Sequence, residues 1–343
     1  MRASLVKRAF KYRFYPTNAQ TAELSRTFGC VRKVYNLALA ARTEAWTARR
    51  ERVAYGQTSA MLTADGRLTL AKMAEPLEIV WSRPLPAGVE PTTVTVSRDR
   101  AGRWYVALLC EDIPAPMPVT ANAVGIDAGL TALLTLSSGE KITNPQCERK
   151  DRARLVKAQR AVSRKGKDSR NRAKARTRVA RIHARIADRR RDHLHKLTTR
   201  LVRENQMLVI EDLSVRNMLK NHRLARAISD AAWGELRRML EYKAAWYGRE
   251  LITVDRWFPS TKLCSACGAV AGSMPLDVRE WTCGDCGTTH DRDGNAAINL
   301  LAAGLAVAAC GTGVRPHRES SSRSGRSVVK QETPPARVGI PSR

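Results

Sequence analysis

The sequence predicts an α/β core with an inserted metal knot, preceded by a β-rich region, and three observations carry that prediction. Strand and turn patterns dominate before residue 115. Apolar strands alternate with amphipathic helices after residue 120. Two Cys-x2-Cys pairs then interrupt the chain ahead of its last helical run. At 343 residues the chain can bury a substantial core and divide into two or three domains.

The opening run RAFKYRFYP alternates Phe10, Tyr12 and Phe14 with Lys11, Arg13 and Tyr15, which suits a strand with one packed face and one basic face, ended by Pro16. Thr17 with Gln20 fits a capping box, and Leu24, Phe28, Val31 and Tyr35 recur at helical spacing behind it, so a helical stretch to roughly residue 55 is expected. Residues 92–111 read as a hairpin turning at Asp99–Gly102. The proline-rich stretch 114–122 marks a domain boundary.

Beyond it, a buried-type strand ends at Asp127, and two strands follow around the turn Ser137–Gly139. Residues 149–200 hold 21 Lys and Arg against four acids, a local charge of +17. Val179, Ile182, Ile186, Leu194, Leu197 and Leu201 keep a broken helical stripe there, so one face of a helix packs while the rest stays cationic. A second buried-type strand, 206–212, ends in Glu211 and Asp212. Ser229 is placed as the N-cap of the next helix, with Ile228 stapled against Trp233, and the stripe runs to Gly248. Residues 250–257 form a third strand. The tail 311–343, rich in Ser, Arg and Pro with seven basic and two acidic residues, is expected to be disordered.

Formal charge is +28, so the folded surface carries a strong positive field and nucleic acid is the leading partner. No run of 18 apolar residues occurs and the first sixteen residues lack a signal peptide's apolar stretch, so a soluble, cytoplasmic protein with no membrane partner is expected. Eight cysteines are too few for a disulfide scaffold. Cys30, Cys110, Cys147 and Cys310 are scattered and read as small hydrophobes.

Cys264 and Cys267, then Cys283 and Cys286, match a four-cysteine zinc ribbon. Gly268 and Gly287 permit the tight turns, and four thiolates leave no open position, so the ion is structural. Behind the ribbon comes HDRDGNAAINL. Asp293 can simply cap a helix there, but Asp127 and Glu211 each end an apolar strand, where sites in such sheets gather. Three converging carboxylates can hold two divalent ions about 4 Å apart for phosphodiester hydrolysis, and magnesium suits oxygen-only ligands. The order of strands and helices is the layout of an RNase H-like nuclease core.

GIDAGL (125–130), VIEDLSV (209–215), the run from Ile228 to Gly268, WTCGDCG (281–287) and HDRDGNAAINL (290–300) together resemble the TnpB family, as do the opening KYRFYPTNAQ and VSRDRAGRWYV (96–106). These are insertion-sequence proteins related to type V CRISPR effectors. The resemblance spans about residues 6–308, with motifs in the family's order. It implies a RuvC-type core over 120–258 that includes the basic helical segment 149–203, a zinc ribbon over 259–288 and a final helix over 289–308. Residues 1–115 would be a wedge β-barrel with recognition helices inserted over about 17–60.

The activity implied is RNA-guided endonuclease cleavage of double-stranded DNA, directed by a guide RNA from the transposon end. The resemblance makes Asp127, Glu211 and Asp293 the catalytic, magnesium-binding carboxylates, with Asp291 the weaker choice, and Cys264, Cys267, Cys283 and Cys286 the zinc ligands. A bacterial, nucleoid-associated location follows. Guide pairing reads sequence, so the protein mainly needs a cationic channel. Competing readings are a transposase that joins strands with the same acids, an RNA-guided repressor without cleavage, and a plain zinc-ribbon binder, which leaves the strand-end acids without a purpose.

Overall fold

The computed structural model describes residues 5–28, 60–62, 67–70, 73, 75–86, 88–272, 274–275 and 277–309. Strand β1 (Val6–Phe14) buries Phe10, Tyr12 and Phe14 on one face, with Lys11 exposed on the other. After Pro16, the Thr17 amide donates to Gln20 Oε1 at 3.0 Å and the Gln20 amide donates to Thr17 Oγ1 at 3.2 Å. This reciprocal pair opens helix α1 (18–28), whose Leu24 is buried and whose Phe28 stacks on Trp104. Val31, Tyr35 and the rest of the expected helical stretch lie outside the described residues.

Strands β2 (Ala60–Leu62), β3 (Arg67–Leu70), β4 (Leu77–Val80), β5 (Pro91–Arg98) and β6 (Trp104–Asp112) join β1 in an antiparallel sheet of order β2-β3-β4-β1-β6-β5. The β5–β6 hairpin turns where expected, with the Gly102 amide donating to the Asp99 carbonyl at 3.0 Å and Gly102 at φ +85°. For the expected wedge β-barrel the described residues supply this six-stranded sheet, in which no pairing among them joins β2 to β5. Its inner face packs Phe10, Tyr12, Phe14, Leu68, Val106 and Leu108 into one core.

The second sheet is α/β. Strands β7 (Ala123–Ala128), β8 (Ala132–Leu136), β9 (Lys141–Thr143), β10 (Met207–Glu211) and β11 (Glu250–Val254) take the order β11-β10-β7-β8-β9. β7, β10 and β11 run parallel, and β8 and β9 continue antiparallel. Both faces are covered over the middle of the sheet, which is why the central positions of β7 and β10 are apolar. On one face Val124, Ile126, Leu208 and Ile210 pack under the helices described next, and on the other Val209, Ile252 and Val254 meet Leu300.

The basic segment is two helices rather than one, α2 (Cys147–Ser163) and α3 (Arg170–Glu204). Asp168 turns the chain at φ +64°, and Ser169 Oγ caps α3 by accepting the Arg172 amide at 3.1 Å. Helices α4 (Val215–Met218), α5 (Ala225–Ala231) and α6 (Trp233–Tyr247) follow. Ser229 is therefore no N-cap. It lies inside α5, and the break falls at Ala232 (φ +53°), whose carbonyl accepts the Glu235 amide. Gly248 ends α6 in the left-handed conformation, as its position predicted. A hairpin, β12 (Glu280–Thr282) and β13 (Thr289–Asp291), precedes α7 (Arg292–Ala309), so His290 and Asp291 belong to a strand and the helix begins one residue later. Cys110 and Cys147 are buried as small hydrophobes; Cys30 and Cys310 lie outside the described residues.

Candidate active site and metal centre

Register brings the first two acids together. β10 and β7 run parallel with Ile210 opposite Ile126, so Glu211 follows at the same sheet edge as Asp127. Side chains alternate across a strand, and Ile126 and Ile210 both enter the α6-side core, so the two carboxylates share the opposite face. That face carries α7, with Asp293 in its first turn.

α7 approaches so closely because β7 has a glycine beneath it. A Cβ on Gly125 would lie 2.1 Å from the Ala297 carbonyl oxygen, and one on Gly304 would lie 2.4 Å from Val209. The small residues Ala296 and Ala297 complete this contact, fully buried. Two amides hold the helix lengthwise. Asn295 Nδ2 donates to the Leu263 carbonyl at 2.7 Å while its Oδ1 accepts the Ser265 amide at 2.9 Å, and Asn299 Nδ2 donates to the carbonyls of Ser260 and Leu263 at 2.8 and 2.6 Å. Both are nearly inaccessible, so α7 is tied to the chain that enters the first cysteine knuckle.

Electrostatics record the crowding. Asp127 is 7% exposed, and burial first, then the charges of Asp293 and Glu211, push its carboxyl up to about 7 against the pull of Arg292. Burial and then Asp212 raise Glu211 as well. Asp212 itself is satisfied elsewhere: a hydrogen bond from Arg237 outweighs burial, and with a further one from Arg256 holds it below the usual carboxylate range. Asp291 is likewise engaged. Burial raises it, but Lys141 Nζ at 2.7 Å and the Gly294 amide at 2.8 Å bring it below its ordinary value. Both acids in HDRD push Asp127 upward, Asp293 more than Asp291, and Asp293 has Arg279 at 3.8 Å beside it.

The four cysteines converge. Ligand atoms of Cys264, Cys267, Cys283 and Cys286 all lie within 4.8 Å of one another. Gly268 (φ +78°) and Gly287 (φ +72°) close the two knuckles, their amides donating to the carbonyls of Cys264 and Cys283. His290 Nε2 lies 3.0 Å from Cys264 Sγ, where an N–H can donate to a thiolate.

A cationic groove of about 930 Å³ runs between α2 and α3, lined by Arg154, Lys157, Lys174, Arg178, Arg181 and Arg185 among others. None of these six has an acidic partner among the described residues. Elsewhere on α3 the acids are used up, with Arg189 on Asp151, Arg190 on Asp230, Arg191 on Glu235 and Arg200 on Glu140. Asp188 pairs with Arg103 of the β5–β6 turn, linking α3 to the first sheet. Sequence reasoning recognised the charge of this segment but not its sorting. It gave no structural role to Gly125, Lys141 or Asn299, although Asn299 four residues after Asn295 in a largely apolar helix was a usable signal.

Known proteins resemble the chain over the same elements. A family model described as "Probable transposase" (OrfB of IS605 type) matches residues 94–222, one described as "Cas12f1-like, TNB domain" matches 233–300, and one described as "Helix-turn-helix domain" matches 1–51. A Streptomyces pristinaespiralis protein named "Putative RNA-guided DNA endonuclease" is 61% identical, covering 98% of this chain and 98% of its own length. An Escherichia coli K12 protein, "Putative RNA-guided DNA endonuclease InsQ", is 37% identical over 66% of this chain and 60% of its own. A solved "Cas12f1-sgRNA-target DNA complex" aligns at TM-score 0.48 and 14% identity, covering 72% of this chain and 58% of that one. With similarity of that extent running through the glycine-bedded helix and the cysteine knuckles alike, the chain belongs to the TnpB family, the OrfB proteins of IS605-type insertion sequences.

Proposed function

We propose that the protein is an RNA-guided DNA endonuclease that hydrolyses phosphodiester bonds at Asp127, Glu211 and Asp293. The observation that carries this reading is the surplus of negative charge at one sheet edge. Asp127 and Glu211 are both displaced toward their neutral forms by burial and by neighbouring acids, while Asp212 and Asp291 are neutralised by cations of their own. Crowded carboxylates that raise one another despite Arg292 and Arg279 nearby fit a site for divalent cations, and the all-oxygen donor set favours magnesium. Two bound ions would activate a water and stabilise the leaving oxygen.

The chain's own groups do the positioning. Lys141 holds Asp291 aside, Asn295 and Asn299 fix the axial position of α7, and Gly125 lets the first turn of that helix come down on β7. The sheet order and its two helical layers support an RNase H-like, RuvC-type core over 120–258. The four sulfurs fit a tetrahedral thiolate site for one structural zinc over 259–288, with 289–308 as the closing helix and 1–115 as the wedge domain. The groove of unpaired arginines and lysines supports a guide RNA, transcribed from the transposon end, as the resident partner, with duplex DNA as the target. Among the described residues no helix is long and apolar enough to cross a membrane, and action on DNA favours the cytoplasm and nucleoid.

The test is to purify the protein from cells carrying its flanking transposon DNA, sequence the bound RNA and supply a matching plasmid with magnesium. Cutting directed by that RNA is expected, lost in Asp127→Ala while RNA binding persists. Cleavage by Asp127→Ala at the parental rate would remove the site assignment, and joined rather than cut products would replace hydrolysis with strand transfer.

A further inference from the structure

The chain leaving β11 presents an aromatic ring that nothing in the fold uses. Trp257 is 85% exposed. The only comparably exposed aromatic among the described residues is Tyr15, and the Arg13 guanidinium covers that ring at 5.1 Å. No ring or cation stacks on Trp257 among the described residues. An exposed tryptophan forgoes more apolar burial than any other side chain would, so its position calls for a ligand.

The turn that carries it is built rather than loose. The Trp257 amide donates to Asp255 Oδ1 at 2.8 Å, and the Phe258 amide donates to the Asp255 carbonyl at 3.0 Å. The residues on either side point elsewhere: Arg256 is paired with Asp212, and Phe258 packs into the cluster of Val209, Ile252, Val254 and Leu300. Of the two adjacent rings, Phe258 packs inward and Trp257 stands in solvent.

Its location follows from register. β10 and β11 are parallel, with Val254 opposite Glu211, and the Asp212 amide donates to the Val254 carbonyl at 3.0 Å. Three residues of chain at about 3.8 Å each, plus one inter-strand spacing of about 4.8 Å, put the Trp257 backbone within roughly 16 Å of that of Glu211. The ring therefore stands at the same carboxyl end of the sheet as the three carboxylates, a distance of a few nucleotides.

We propose that Trp257 is a stacking platform for one unpaired nucleobase of the DNA strand presented to Asp127, Glu211 and Asp293. The proposal rests on the endonuclease reading. A planar, polarizable ring accepts any base by its π-face, so the platform aligns the strand without reading its sequence. Such alignment matters for a guided nuclease, because the guide holds the target but the scissile phosphate still has to reach the acids.

The experiment uses the RNA-loaded protein and duplex targets carrying a single abasic site, moved one nucleotide at a time across the cut position. With the parental protein, cutting is expected to slow by about one to two orders of magnitude at one or two abasic positions, the range of base–aromatic stacking. Trp257→Ala should cut an intact target slower by a similar factor, be indifferent to the abasic site at those positions, and bind the target with unchanged affinity. Trp257→Phe should restore most of the rate. Equal rates for parent and Trp257→Ala, or the same abasic penalty in both, would overturn the platform. Absence of guided cutting by the parent would instead count against the endonuclease reading.

Discussion

Replacing Asp127 with asparagine should make the magnesium-free protein more stable, and more so as pH rises. In the folded chain Asp127 titrates at about 7 rather than its ordinary 3.8. Below 3.8 both folded and unfolded states hold the proton, and the carboxyl costs nothing. Between 3.8 and 7 the folded state retains a proton that the unfolded chain has released, so stability falls as pH rises. Above 7 the full cost is felt, about 4 kcal/mol for a displacement of roughly three pKa units at 1.36 kcal/mol each. Asparagine is nearly isosteric and does not ionise. Any fixed packing cost of the exchange cancels when two pH values are compared. The stability gap between Asp127→Asn and the parent should therefore be roughly 3 kcal/mol wider at pH 8 than at pH 5. Thermal unfolding in metal-depleted buffer reads this as a melting-temperature difference that grows by several degrees, at roughly 2–4 °C per kcal/mol for a core of this size. Magnesium at pH 8 should stabilise the parent and leave the variant nearly unmoved. A gap that is the same at both pH values would refute the placement of Asp127 in a buried, negatively crowded site.

Other outcomes follow from the same geometry. Gly125→Ala drives a methyl into the Ala297 carbonyl and should destabilise the core by about 3 kcal/mol in denaturant unfolding, with a corresponding loss of cutting activity. Cys283→Ser should lower zinc from one equivalent per chain toward none by elemental analysis. It should also slow cutting even with magnesium in excess, because the knuckle and α7 share the bonds of Asn295 and Asn299. Changing Arg178, Arg181 and Arg185 together to glutamine should reduce the slope of log affinity for RNA against log salt by roughly 2–3, whereas the same exchange at the paired Arg189, Arg190 and Arg191 should reduce it less and cost more stability.

Much of the core was legible because its signals are local. Strand ends at Asp127 and Glu211, the cysteine spacing and the capping pair Thr17–Gln20 each declare themselves within a few residues. What escaped depends on distant partners. Whether α2 and α3 are one helix or two turned on a left-handed Asp168 and a serine cap, weak against a continuous basic pattern. Ser229 looked like a cap because serine before an apolar stripe usually is one, yet Ala232 takes the break and Ser229 continues α5. Gly125 could be read as a turn glycine. Its role is a helix crossing from much farther along the chain. The choice between Asp291 and Asp293 rested on family likeness; in the fold Asp291 is held by Lys141 and the Gly294 amide, while Asp293 has Arg279 at 3.8 Å.

The hydrogen atom that serves as the side chain of residue 125 has a mechanical meaning. With helix backbone resting directly on strand backbone, there is no cushion of rotatable groups to absorb a slide or tilt, so β7 and α7 are effectively welded. The carboxylates they bear cannot be drawn apart and reassembled as a switch without breaking the core. At the proposed site, restraint on cutting would then fall to the approach of the strand, and the control of this blade would lie in its sheath.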